Sequence, residues 1–378
     1  MSELNQRFLS LDVFRGLTIG FMIIVNSPGS GAHSFAPLVH AAWNGFTPTD
    51  LVFPSFLFAI GSAMSFSLRK YVAEGNLTVL RKVIWRTSVI FLLGYLMYWF
   101  PFFRIDAAGN FIEAPFSGTR IPGVLQRLAL CYGMGALLVL YIPRRLLTIL
   151  GVALLLFYWA LLLIAGDAEA PLSLTGNAVS KLDLWLFGPG HLWHGEGIPF
   201  DPEGMLSTLP ALINLLIGYW TGEFIQKNGK NYETVARLML TAVVLLFAAY
   251  CWQPFFPFNK KLWSSSFVLL TSGLDIMILA VLFYLLELKN SHKACWPGFF
   301  VIFGKNPLVI YLISELMLTV FWMVRTPSGK NLYDFLSIEV FQSIVSGPLG
   351  SLLFALSVMM FCWLIALLMD HKKIYIRV

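Results

Sequence analysis

Between Asn26 and Pro54 the chain reads NSPGSGAHSFAPLVHAAWNGFTPTDLVFP, and side chains able to do chemistry gather there. Asn26, His33, His40, Asn44 and Asp50 stand among Pro28, Gly29, Gly31, Pro37, Gly45, Pro48 and Pro54. A histidine that titrates near neutrality can take a proton or attack as a nucleophile. A carboxylate nearby can orient the imidazole, and Asp50 lies ten residues after His40. It can equally cap the helix it opens. An asparagine amide can donate to a developing oxyanion or orient a substrate. The set reads as the lining of a reaction site; the plainer alternative is an ordinary external loop.

The elements that must position these residues are apolar. Of the 378 residues, 58% are hydrophobic and 12% charged, where a soluble domain carries about 25% charged. Mean hydropathy is +0.75. A helical span needs about 20 apolar residues. Runs of that kind fall at 8–27, 49–70, 79–100, 121–142, 145–165, 206–226, 233–253, 264–288, 303–324 and 348–369. The fold class is therefore all-α: a polytopic membrane bundle of about ten transmembrane helices forming one integral domain over 1–378. Segment 331–346 is apolar but interrupted, which suits an interfacial helix. The start lacks a basic n-region and a small-residue cleavage site, so the first span is expected to be uncleaved.

Charge placement orients the bundle. Arg7, Arg69, Lys70, Arg81, Lys82, Arg144, Arg145, Lys227, Lys230, Arg237, Lys289, Lys293, Lys372, Lys373 and Arg377 fall on one side. Arg104, Arg120, Lys181, Lys260, Lys261, Arg325 and Lys330 fall on the other. The more basic short loops face the cytoplasm, which puts both termini there and 26–50 outside. Segment 166–205 becomes a long periplasmic loop whose Trp185, Trp193, Phe200, Asp201 and Glu203 could cap a cavity mouth. The net charge of +6 follows orientation and gives no reason to expect nucleic acid.

Other groups admit two readings each. Asp12 and Arg15 share a helical face, as a local ion pair or part of a site. Arg86, Arg127, Asp275 and Glu315 lie within spans, where a charge must be paired or wet. Gly304-Lys305-Asn306-Pro307 opens the ninth span, either as a phosphate-holding helix start or as a plain capped helix. His191, His194 and Glu196 have only weak metal-like spacing, and no metal is expected. The four cysteines show no CxxC and read as packing residues. No Walker loop or GxGxxG is present.

Several motifs in order resemble the heparan-α-glucosaminide N-acetyltransferase family, which includes a lysosomal transmembrane enzyme and bacterial inner-membrane relatives. They are SLDVFRGLTI (Ser10–Ile19), Asn26, HAAWNGFTPTDLVFPSF (His40–Phe56), RIPGVLQRL (Arg120–Leu128), FDPEG (Phe200–Gly204) and NKKLWSSSF (Asn259–Phe267). On this resemblance the lysosomal enzyme's lumenal N-terminal extension and extra span are expected to be missing, and 166–205 looks shorter and more divergent. The resemblance implies acetyl transfer across a bacterial inner membrane, from cytosolic acetyl-CoA to the amino group of a glucosamine-type acceptor outside. The family's active-site histidine falls on His40 and its asparagine on Asn26. On that reading His40 is base or acetyl carrier, with direct transfer favoured, helped by Asn26 and Asp50. Arg81, Arg86, Lys305, Asn306 and Arg127 are the expected coenzyme contacts. Trp43, Asn44, Asp201 and Glu203 are the expected acceptor contacts. Trp43 and Trp193 suit sugar stacking or an aromatic belt; Arg127 suits a cavity wall or a buried ion pair. Expected partners are acetyl-CoA, an amino sugar and the bilayer, with a homodimer admissible. Competing functions are an amino-sugar or peptide transporter and a polysaccharide O-acyltransferase.

Overall fold

A computed structural model describes residues 8–30, 33–72, 75–105, 111–289 and 294–376. Arg7, Gly31, Lys293 and Arg377 lie outside the described residues, as do the side chains of Arg69, Lys70 and Arg104.

Each of the ten apolar runs lies on a helix. These are α1 (Leu9–Asn26), α2 (Pro48–Val72), α3 (Asn76–Trp99), α4 (Val124–Tyr141), α5 (Arg144–Ala165), α7 (Thr208–Asn228), α8 (Tyr232–Trp252), α9 (Ser265–Phe283), α11 (Pro307–Met323) and a final helix, Pro348–His371. Two shorter helices join them, α6 (Ala178–Phe187) and α10 (Cys295–Lys305), and a two-stranded hairpin pairs Phe103–Ile105 with Phe111–Glu113. Segment 331–346 is a chain of short helical pieces with a π-helical centre, Phe335–Phe341.

Among the described residues seven helices are long and apolar enough to cross a membrane: α1, α2, α4, α5, α8, α9 with its continuation to Leu288, and the final helix. The pair α10–α11 adds an eighth if taken as one broken span. Outward-facing α5 and α8 expose Ile149, Val152, Leu156 and Phe157, and Leu240, Val243, Val244 and Phe247, surface that suits lipid rather than water. Helix α7 is less apolar because it is enclosed: Asn214, Leu215, Leu216 and Gly218 are all buried.

Small residues let the inner helices touch. A Cβ on Gly61 of α2 would sit 1.9 Å from the Leu215 carbonyl of α7, and one on Gly218 would sit 2.2 Å from that of Phe58. Such backbone approach is how helices associate where water gives no hydrophobic drive. Between α1 and α10 the same device recurs: a Cβ on Gly16 would lie 1.8 Å from the Phe300 carbonyl.

The ninth expected span is broken. Gly304 and Lys305 close α10, and α11 starts at Pro307, with an 80° bend between them. Proline disfavours a helical residue before it, and Asn306 sits at φ −131°, ψ 54°. Its side chain instead holds the tail: Nδ2 donates to the Ile374 carbonyl at 2.9 Å and Oδ1 accepts from Ile376 N–H at 2.9 Å.

Long-range bonds sort the connections into two ends. At one end Lys230 pairs with Glu287, whose other oxygen accepts from Ser10, and Lys305 pairs with Asp370. At the other, Lys260 meets His40, Lys261 meets Glu196 and Arg120 meets Asp201.

Candidate functional site

The segment that carries His40 is fastened to the first turn of α2. Thr49 Oγ1 donates to the Pro37 carbonyl at 3.0 Å, and Thr47 Oγ1 to that of Val39 at 2.8 Å. Asp50 reaches back so that its Oδ2 accepts from Thr47 N–H at 3.0 Å, Thr47 Oγ1 at 3.1 Å and Ala41 N–H at 3.2 Å. Its Oδ1 lies 2.7 Å from His40 Nδ1. The two readings of Asp50 are thus compatible: one oxygen closes the helix start, as the acid of a capping box does, and the other holds the imidazole. An ionised carboxylate only accepts, so Nδ1 carries the proton and Nε2 the lone pair. Asp50 is 1% exposed, whereas His40 presents 43% of its side chain, toward the cavity described below.

A second loop, between α8 and α9, closes over this one. Asn259 Oδ1 accepts from Leu262 N–H at 2.7 Å and shapes a tight turn, in which Trp263 adopts φ 54°. Asn259 Nδ2 donates to Asn44 Oδ1 at 3.1 Å, Gly45 N–H to the Phe258 carbonyl at 2.8 Å, and Lys261 Nζ to the Ala42 carbonyl at 2.7 Å. This stitching brings Lys260 Nζ to 3.0 Å from His40 Nε2. Burial lowers the imidazole below its ordinary value; the Asp50 hydrogen bond opposes this and the Lys260 charge adds to it. The net effect favours the neutral imidazole.

A cavity of about 850 Å³ runs along α1 from one end of the bundle to the other. Asp12, Arg15, Arg86, Lys305 and Tyr375 line it at one end, and Asn26, His40, Glu203 and Lys260 at the other. At 1.5 Å rise per residue, Arg15 and Asn26 are about 16 Å apart along α1. Between them the wall is apolar: Val52, Phe53, Phe56, Ile60, Met64, Leu125 and Leu128. Asp12 and Arg15 form the local ion pair at 3.0 Å, and both line the cavity. Arg86 lies over the Tyr132 ring, 4.7 Å from its centroid.

The outer wall is braced by Arg120. It grips Asp201 through two bonds of 2.7 and 2.6 Å, reaches Glu203 at 2.5 Å, and lies over Tyr98 and Trp193. Burial by itself would raise the Glu203 carboxyl, but Arg120, Arg127 and Lys260 hold it below its ordinary value. Glu203 is therefore a fixed negative charge at the mouth.

Of the expected coenzyme contacts, Arg86 and Lys305 line the cavity, while Arg81, Asn306 and Arg127 are not among its lining residues. Arg81 is exposed, one turn before Arg86 on α3. Asn306 is spent on the tail. Arg127 is 1% exposed, lies over Trp263 and donates to the Gly204 carbonyl and Ser207 Oγ; it joins the outer loop to α4. Of the expected acceptor contacts, only Glu203 lines the cavity. Trp43 donates to the Leu172 carbonyl and packs edge-on against Phe200, Asn44 holds Asn259, and Asp201 is consumed by Arg120 and the Trp193 and Glu203 amides. Asp275 and Glu315 meet no arginine in these bonds: Ser55 donates to the first at 2.5 Å and Asn26 Nδ2 to the second at 2.8 Å. His191 Nδ1 lies 2.7 Å from the Thr119 carbonyl.

Lys260 is the site residue that sequence reasoning missed. Its signal was the Lys260-Lys261 pair on the side otherwise poor in cations, inside a motif already singled out.

No family model matches this chain. Human heparan-alpha-glucosaminide N-acetyltransferase is 27% identical over an alignment covering 83% of this chain and 54% of that protein. The mouse protein of the same name is 27% identical, covering 82% and 54%. The chain spans about half the length of the curated relatives it matches. The chain is thus similar, at a distance, to two proteins named heparan-alpha-glucosaminide N-acetyltransferase.

Proposed function

We propose that this protein is a transmembrane N-acetyltransferase that takes acetyl-CoA from one face and acetylates the amino group of a glucosamine-type acceptor at the other. The observation that carries this is the cavity with cations at one end and the Asp50-oriented His40 at the other. The coenzyme's phosphates match Arg15, Arg86 and Lys305, and its slender arm suits the apolar passage. His40 Nε2 takes the proton as the amine attacks the thioester carbonyl, and Asp50 holds the tautomer and steadies the imidazolium. Asn26, fixed by Glu315 through one N–H, has its remaining amide groups to orient the amine or the carbonyl oxygen. Direct transfer is favoured, since an acetyl-imidazole beside a wet mouth would hydrolyse. The ten helices span a bacterial inner membrane with both termini on the acetyl-CoA side.

Purified protein with acetyl-CoA and glucosamine tests the reading by mass spectrometry of the products. An N-acetylated sugar supports it. An O-acetyl ester would make the protein an O-acyltransferase, and sugar movement without turnover would make it a carrier. Impermeant thiol labelling of Leu38→Cys and Arg145→Cys in a cysteine-free background tests the orientation: the first should react from outside and the second should not.

A further inference from the structure

Lys260 stands where a second proton-handling group would be needed. Its Nζ lies 3.0 Å from His40 Nε2, it lines the cavity, and it comes from a loop 220 residues away in sequence. Its neighbour Lys261 is committed to Glu196 and a carbonyl, whereas the hydrogen bonds of Lys260 go to the imidazole. An ammonium only donates, and His40 Nδ1 already serves Asp50. Lys260 Nζ lies 3.2 Å from Nδ1 as well as 3.0 Å from Nε2, so the ammonium rests against the imidazole ring and leaves the Nε2 lone pair, the one that must act as base, open to the cavity.

We propose that Lys260 is the acid partner of His40 in acetyl transfer, protonating the departing thiolate. The inference rests on the reading of the site as an acetyltransferase. When the substrates enter, the flexible lysine stem swings its ammonium off the imidazole ring toward the thioester sulfur. The amine lone pair forms the C–N bond, and Nε2 takes the amine's proton. The C–S bond breaks with its electron pair on sulfur, and the Lys260 ammonium protonates that thiolate. His40 is now imidazolium and Lys260 a neutral amine. Transfer of one proton back over their short separation restores both, leaving an amide and a free thiol. The surrounding charges suit the exchange. Burial lowers the Lys260 ammonium from its ordinary value, with Glu203 and Asp50 opposing, and Lys261 and Arg127 adding to it. His40 faces Asp50, Lys260 and Glu203, and its own proton affinity is also lowered, chiefly by burial.

The test uses the full-length protein in detergent with Lys260→Met and Lys260→Arg. Arginine keeps the charge but does not release a proton near neutrality. Both variants should lose about a hundredfold in kcat with acetyl-CoA. An aryl thioacetate, whose thiolate needs no acid, should be used by both at near wild-type rates. Independently of turnover, carbethoxylation of His40 at pH 8, read by peptide mass spectrometry, should speed up severalfold in Lys260→Met because the ammonium against the ring no longer crowds the imidazole and draws on its electrons. Near-normal kcat in Lys260→Arg would show that charge alone suffices and would overturn the acid role. So would an unchanged carbethoxylation rate. A wild-type protein without acetyl transfer would instead overturn the proposed function, while the carbethoxylation arm would still report on the Lys260–His40 contact.

Discussion

His40 Nδ1 and Asp50 Oδ1 lie 2.7 Å apart, and the other oxygen of Asp50 is held by Thr47 and Ala41 at the start of α2. The orientation of the imidazole is therefore coupled to the integrity of a helix terminus. The carboxylate cannot turn away from His40 without uncapping α2.

His40→Ala should reduce acetylation by at least about a hundredfold, while His33→Ala stays near wild type. Asp50→Asn should also lose about a hundredfold, because an amide can donate to Nδ1 and stabilise the wrong tautomer. Steady-state kinetics on the purified variants checks this. Radiolabelled acetyl-CoA without sugar should leave no label on the protein; label retained in wild type and lost in His40→Ala would establish an acetyl-histidine route.

The pH dependence of kcat/KM carries a definite sign. The base must be unprotonated, and His40 is lowered from its free value by burial and by Lys260, so the acidic limb should lie below the ordinary histidine range. Removing Lys260 with methionine takes away a lowering influence, and the limb should move to higher pH. A limb that shifts the other way would contradict the placement of Lys260.

At the opposite end, Arg86→Gln combined with Lys305→Gln should raise the Michaelis constant for acetyl-CoA by roughly tenfold or more with little change for the sugar. Arg81→Gln, which lies off the cavity, should change neither. Equal effects on both substrates would point to a folding defect.

Asp183 offers a stability test away from the chemistry. Burial pushes its carboxyl up to about 7; Oδ1 accepts from Met205 N–H, while Oδ2 is buried without a partner. A carboxyl raised on folding binds its proton more tightly in the native state. Stability should therefore fall as pH rises from about 4 toward 7, by up to about 1.4 kcal/mol per pH unit. Asp183→Asn should flatten this decline and raise the unfolding midpoint at pH 8, as measured by thermal unfolding in detergent.

The ten helices were legible in the chain because each is written in a contiguous apolar run, and burial in lipid or protein demands that backbone groups be satisfied within the segment. The start of α11 was legible in Pro307, whereas the 80° break before it was not, because 303–324 read as one span. The Asp50 cap was legible too, since an aspartate at the start of an apolar run is placed to cap its helix. What remained open in the sequence were choices between partners far away in the chain. Asp50 had two readings, and the fold permits both because a carboxylate has two oxygens. Arg127 had two readings, a cavity wall or a buried ion pair, and the fold directs its hydrogen bonds to a carbonyl and a hydroxyl. Glu315 and Asn26 meet across 289 positions, and Lys260 and His40 across 220. No local pattern encodes such a meeting, because it depends on how α1, α2, α9 and α11 pack and on the glycines that bring backbones together. The helices were determined by the sequence read locally; the passage from Arg15 to His40, and the lysine that waits at its end, exist only once the helices are assembled.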